Sequence, residues 1–142
     1  TIEESGLAVF GEGRGAAAAD YDHDGRTDLI ISQNGAKPKL FLNQAQPRGL
    51  RVKLQGEEGN RIGIGAQISL NLHPKAGPSR MVRLGSGYLS QNSATQVMGG
   101  ADKATAVRVA WASGEREMFE LAPGQAEITA VKGQGRPWPS AR

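Results

Sequence analysis

From residue 50 onward, apolar and polar side chains alternate with the period of a β-strand. Leu50, Val52 and Leu54 fall on one face while Arg51, Lys53 and Gln55 fall on the other, and Ile68, Leu70 and Leu72 interleave with Gln67, Ser69 and Asn71. Residues 81–84, 95–98, 107–111, 116–121 and 127–131 continue the series. Roughly seven strands in about eighty residues, divided by turn residues, predict a small β-sandwich or barrel.

The pattern upstream is different. Residues 16–19 are all Ala, which suits a strand in a crowded place. Residues 29–32 are nearly continuously apolar and read as a strand buried on both faces. A third strand is expected over 40–43, after a turn-rich loop at 33–38. So small a set of strands cannot enclose a core. Residues 1–45 are therefore expected to lean on a neighbour, either the second domain or another copy of the chain paired through the open strand edge, giving a homo-oligomer. Residues 44–49, Gln-Ala-Gln-Pro-Arg-Gly, read as the boundary. The division is thus 1–45, 46–132 and a Pro- and Gly-rich tail, 133–142, expected to be loose apart from any docking of Trp138.

Composition narrows the class to all-β. The 142 residues include 20 Gly and 7 Pro, as a turn-rich chain would. The absence of Cys removes disulfides and thiolate chemistry. No long apolar run is present, so no membrane insertion is expected. The chain opens on Thr1 rather than Met, which reads as a form either processed or cut from something longer.

Charge is unevenly spread. Residues 1–47 carry 7 acids and 4 bases, and residues 48–142 carry 7 acids and 13 bases. The basic half raises the question of nucleic acid. Its Arg and Lys residues (Arg51, Lys53, Arg80, Arg83, Arg108, Arg116) are scattered singly along strands, however, and few aromatics are available for base stacking. The reading is a solvated outer face and no nucleic-acid partner.

The acidic half concentrates on one nonapeptide, Asp20-Tyr-Asp-His-Asp-Gly-Arg-Thr-Asp28. Four carboxylates this close repel unless a cation lies between them. Calcium is a hard cation that accepts many oxygens from a flexible loop. Asp20, Asp22, Asp24 and Asp28 are expected to ligate through side chains and Arg26 through its carbonyl, with Gly25 making the sharp turn. An EF-hand shares the D-x-D-x-D-G opening but needs a Glu at its twelfth position and flanking helices. Here that position is Ile31, inside a strand-like run. Magnesium fits less well because it takes fewer protein ligands in rigid octahedral geometry. The bland alternative is a solvated acidic turn.

Two resemblances follow from the motifs. The stretch from Gly15 through the acidic loop to Ile31, with Leu40-Phe-Leu-Asn43 after it, resembles one FG-GAP/VCBS-type repeat. That resemblance implies a β-propeller-type blade of about three strands carrying a calcium loop. Residues 50–121 resemble the ASPIC/UnbV domain through Gly59-Asn-Arg-Ile-Gly-Ile-Gly-Ala66, Gly85-Ser-Gly-Tyr-Leu-Ser-Gln-Asn92 and Val109-Ala-Trp-Ala-Ser-Gly114. In such families the modules occur in tandem at the C-terminal end of secreted or surface proteins, which implies a secreted, cell-surface or periplasmic location.

Other constellations are weak. Gly11-Glu-Gly-Arg-Gly15 lacks the Lys-Ser/Thr ending of a phosphate loop, and Gly85-Ser86-Gly87 does not meet the hydrolase pattern. His23 and His73 are read as solvated or structural. A polar run at Tyr88, Gln91 and Asn92, with Asn60 and Arg61 upstream, offers an aromatic face and several donors. It is either a self-bonded loop or a surface for a protein or glycan ligand. The sequence thus reads as a non-catalytic, calcium-stabilised extracellular module for adhesion or ligand binding. The alternative is an accessory domain of an exported enzyme whose catalytic part is elsewhere. No acid–base or nucleophile constellation suggests an enzyme in its own right.

Overall fold

The structure, a computed structural model, describes residues 5–72 and 75–138. His73 lies outside the described residues. Among the described residues the fold is all-β in three sheets, with a short 3-10 turn at Ala101–Lys103.

The first sheet is an antiparallel meander of β1 (Gly13–Ala19), β2 (Asp28–Gln33) and β3 (Ala36–Phe41). Its second connection is shorter than the sequence suggested. Asn34 and Gly35 alone make the turn, and the expected loop at 33–38 is mostly strand. Pro38 lies within β3, at an irregularity between the pairs Ile31 with Lys39 and Gln33 with Ala36. β3 is an edge strand, where a missing N–H costs little, and a bulge accommodates the proline. Residues 29–31 are not buried on both faces as expected: Ile30 is 44 % exposed, and its partner Leu40 is 42 % exposed. No layer covers that face among the described residues.

The second unit contains the core. β4 (Leu50–Gln55) lies between β8 (Gln96–Met98), antiparallel, and β11 (Glu127–Val131), parallel. The larger sheet runs β12 (Arg136–Pro137), β10 (Arg116–Glu120), β9 (Ala104–Ala110), β5 (Gln67–Leu72) and β6 (Lys75–Ala76), with β7 (Arg80–Met81) also paired to β5. The alternation in the sequence sends Leu50, Val52, Leu54, Met98 and Ala130 of one sheet into the same cluster as Ile68, Leu70, Val107 and Val109 of the other. Fully burying one such aliphatic side chain is worth roughly 1.5–3 kcal/mol, so this cluster dominates the packing energy.

Two segments differ from expectation. The strand over 81–84 shrinks to Arg80–Met81, because Val82 bonds the turn instead: its N–H donates to Ala66 and its carbonyl accepts from Gly65. The tail is ordered through Trp138. β12 pairs with β10, and the Trp138 ring lies between Arg108 and Arg116, 5.6 and 5.4 Å from the guanidinium carbons. Hydrogen bonds to strand β10 and cation–π contact hold what composition alone marks as loose.

Candidate metal centre and its junction

The acidic loop joins β1 to β2. Its first and last carboxylates are buried, Asp20 at 8 % and Asp28 at 3 % exposure. Carboxylate oxygens of Asp20, Asp22 and Asp28 lie within 4.8 Å of one another. The backbone draws them together. Asp20 accepts from the N–H groups of Asp24 (2.9 Å) and Gly25 (3.1 Å). Asp28 accepts from Tyr21 N–H (2.8 Å) and, across the sheet, from Asn43 N–H (2.8 Å). Asp22, which is exposed, accepts at 3.2 Å from Asp24 N–H. Each carboxylate oxygen has a second lone pair, so these bonds leave room for a cation.

Of the residues expected as ligands, Asp20, Asp22 and Asp28 therefore converge. Asp24 does not join them. It accepts from the N–H of Arg26 at 2.9 Å and forms an ion pair with the Arg26 guanidinium. Both recorded polar contacts of Arg26 thus go to Asp24. His23 adopts φ 64°, and Tyr21 holds its ring 67 % exposed at the loop surface.

The loop is seated on the second unit at Gly25 and Arg51. Gly25 has φ 82°, and a Cβ there would come within 2.8 Å of the Gly49 carbonyl oxygen. Gly49 N–H donates to the Gly25 carbonyl at 2.7 Å. The expectation of a solvated face fails at Arg51, which is 9 % exposed. Its Nε lies 2.7 Å from Asp20 Oδ2, an ion pair whose N–H direction falls short of hydrogen-bond alignment. Its Nη1 donates to Glu127 on the parallel neighbour β11, where the two residues are register partners. Lys53 donates to the same carboxylate at 2.9 Å. The Lys53 hydrogen bond, with the charges of Arg51, Lys53 and His23, holds Glu127 below the usual carboxylate range despite its partial burial. The alternating pattern of β4 could have identified Arg51 as outward-facing, but not that the acidic loop covers that face.

The second candidate set divides in two. The side chain of Asn60 is committed to Ile64: its Nδ2 donates to the Ile64 carbonyl (2.9 Å) and its Oδ1 accepts the Ile64 N–H (2.7 Å). Arg61 beside it is exposed. In the other loop Tyr88 is 73 % exposed. Gln91 donates to the carbonyls of Arg83 and Asn92 and accepts from Gly85 N–H, so it ties its own loop. Asn92 accepts from Ala18 N–H at 2.9 Å, and Ser93 N–H donates to Ala18 at 2.9 Å. The 86–93 loop thus occupies the outer edge of β1, and a Cβ on Gly15 would come within 3.0 Å of Tyr88. Asn60 and Tyr88 line separate depressions and do not form one surface.

A carboxylate-lined loop seated by an arginine on the outer face of a two-sheet core defines an all-β class with a built acidic centre. The family model for ASPIC and UnbV matches residues 56–137, more than half of the chain, and the chain belongs to that family. The match includes β12 and leaves the acidic loop outside it. The chain is similar to cartilage acidic protein 1 of Xenopus tropicalis, 29 % identical over 133 residues, which cover 85 % of this chain and 19 % of that protein. For the Homo sapiens protein of the same name the identity is 28 % over 131 residues, or 84 % of this chain and 19 % of that protein. The chain spans about a fifth of the length of these curated relatives.

Proposed function

We propose that this chain is a non-catalytic, calcium-stabilised module of an exported protein, used in adhesion or ligand binding. The convergence of Asp20, Asp22 and Asp28 carries the reading. Three carboxylates, two at strand ends and one from the loop between them, make a hard, multidentate oxygen site, which suits calcium better than a softer metal. Asp24 would complete it on releasing Arg26, and the Arg26 carbonyl remains the proposed backbone ligand. The ion would supply charge neutralisation between strand ends and no chemistry. In this reading the first sheet is an FG-GAP/VCBS-type propeller blade, and the two sheets of the second unit form a sandwich. The binding partner is a protein or a glycan.

Melting curves with calcium and with chelator test the proposal. A ligand that binds only the native state adds about 2.7 kcal/mol at a hundredfold excess over Kd. For a chain of this size that raises Tm by roughly 5–10 °C. Asp22→Ala should erase the calcium shift without harming the fold, since Asp22 is exposed and braces only its own loop. Coincident curves for the parent chain would sink the metal reading.

A further inference from the structure

We propose that the cleft between the first sheet and the 80–97 segment binds an anionic saccharide, with its carboxylate or sulfate held by Arg80 and Arg83. The cleft encloses about 430 Å³ and is mostly polar. Ala18 to Asp20 of the β1 end form one wall, and Arg80, Arg83, Ser86, Asn92, Thr95 and Gln96 are on the other. This proposal rests on the binding reading above for the existence of a ligand, but it does not require calcium.

Charge decides the sign of the ligand. Among the described residues neither Arg80 nor Arg83 has a carboxylate partner. Asp20 also lines the cleft, but its side chain is 1 % exposed and paired with Arg51 at 2.7 Å. An entering anion therefore meets two uncommitted guanidinium groups and no free carboxylate. Guanidinium groups bind planar carboxylates and sulfates through paired N–H donors.

The remaining wall decides the kind of anion. Asn92 uses Oδ1 for Ala18, and Gln96 uses Nε2 for the carbonyls of Ser93 and Ala94. Asn92 Nδ2, Gln96 Oε1 and the Thr95 hydroxyl have no partner among the described residues, so the wall offers donors and acceptors suited to sugar hydroxyls. No aromatic ring lines the cleft, so a nucleobase would find no stacking face. An acidic peptide that docked by adding a strand to the β1 edge would be blocked there. At Ala18 the edge of β1 is already bonded on both N–H and carbonyl by Asn92 and Ser93.

Titration of the 142-residue chain with digalacturonate, cellobiose sulfate, cellobiose and tetraglutamate, followed by amide NMR, tests the site. Digalacturonate or cellobiose sulfate should shift the signals of Arg83, Ser86 and Thr95 at millimolar concentration, and which one does so separates carboxylate from sulfate. Cellobiose should not. The Arg80→Gln, Arg83→Gln double variant should keep its Tm and bind at least about tenfold more weakly. No shift with either anionic sugar, equal binding by the double variant, or tighter binding of tetraglutamate would overturn the proposal. Calcium-dependent melting is followed in the same samples. Its absence with sugar binding intact would remove the metal reading alone, and the reverse would remove this one.

Discussion

Arg51 is the residue at which the acidic loop and the second unit meet electrostatically. It joins Asp20 of the loop to Glu127 of β11, from a side chain only 11 % exposed. Glu127 gives this cluster a pH signature. Its folded pKa lies below the ordinary 4.5, held there first by the Lys53 hydrogen bond. The unfolded chain then binds more protons than the folded one as acid is added. The stabilisation is complete above the unfolded value and is lost as pH falls through the folded pKa. Glu127→Gln should therefore be less stable than the parent at about pH 6, and the gap should be narrower at a pH below the ordinary 4.5. Denaturant titrations at the two pH values check this, and a gap that persists in acid would assign the loss to packing instead.

At the scale of elements, the acidic turn depends on Gly25 in two ways, through its positive φ and through its approach to Gly49. Gly59 shares only the first, with φ 89° and nothing within 4 Å of a built Cβ. A left-handed Ala costs roughly 1–2 kcal/mol. Gly59→Ala should cost about that much, and Gly25→Ala distinctly more, because the Gly49 carbonyl must also move. Equal losses in paired denaturation experiments would show that the contact yields freely. The same elements mark what the sequence made legible. Leu50, Val52 and Leu54, and Ile68 and Leu70, announced their strands and inward faces because burial on one side imposes period two. The acidic turn was readable because ligand spacing is local. Pro38 misled because an edge strand and a bulge tolerate it, and Ile30 misled because an apolar run cannot say whether a covering layer is present. The contacts of Asn92 with Ala18 and of Arg51 with Asp20 became visible only in three dimensions, as the partners lie 74 and about 31 positions away.

At the scale of the molecule, the two units meet among the described residues through few polar links: Arg51 with Asp20, Gly49 with Gly25, and residues 92–93 with Ala18. The 86–93 loop also bears on the homo-oligomer expected from an open blade edge. One edge of the first sheet is already occupied, which leaves β3 as the edge a second copy would use. Residues 1–45 should then release before the core does. The Arg51→Met, Asn92→Ala double variant should be cut between residues 44 and 48 at protease doses the parent resists, while the C-terminal remainder stays intact. Simultaneous loss of both parts would mean that the chain unfolds as one cooperative unit.

Tyr21 contributes its N–H to Asp28 and leaves its ring in solvent at the mouth of the loop. A phenol in that position is an antenna. A luminescent lanthanide such as terbium prefers the same oxygen donors as calcium, so it would glow when Tyr21 absorbs ultraviolet light and stay dark in Tyr21→Ala. Occupancy of the centre could then be read optically, without waiting for the chain to melt.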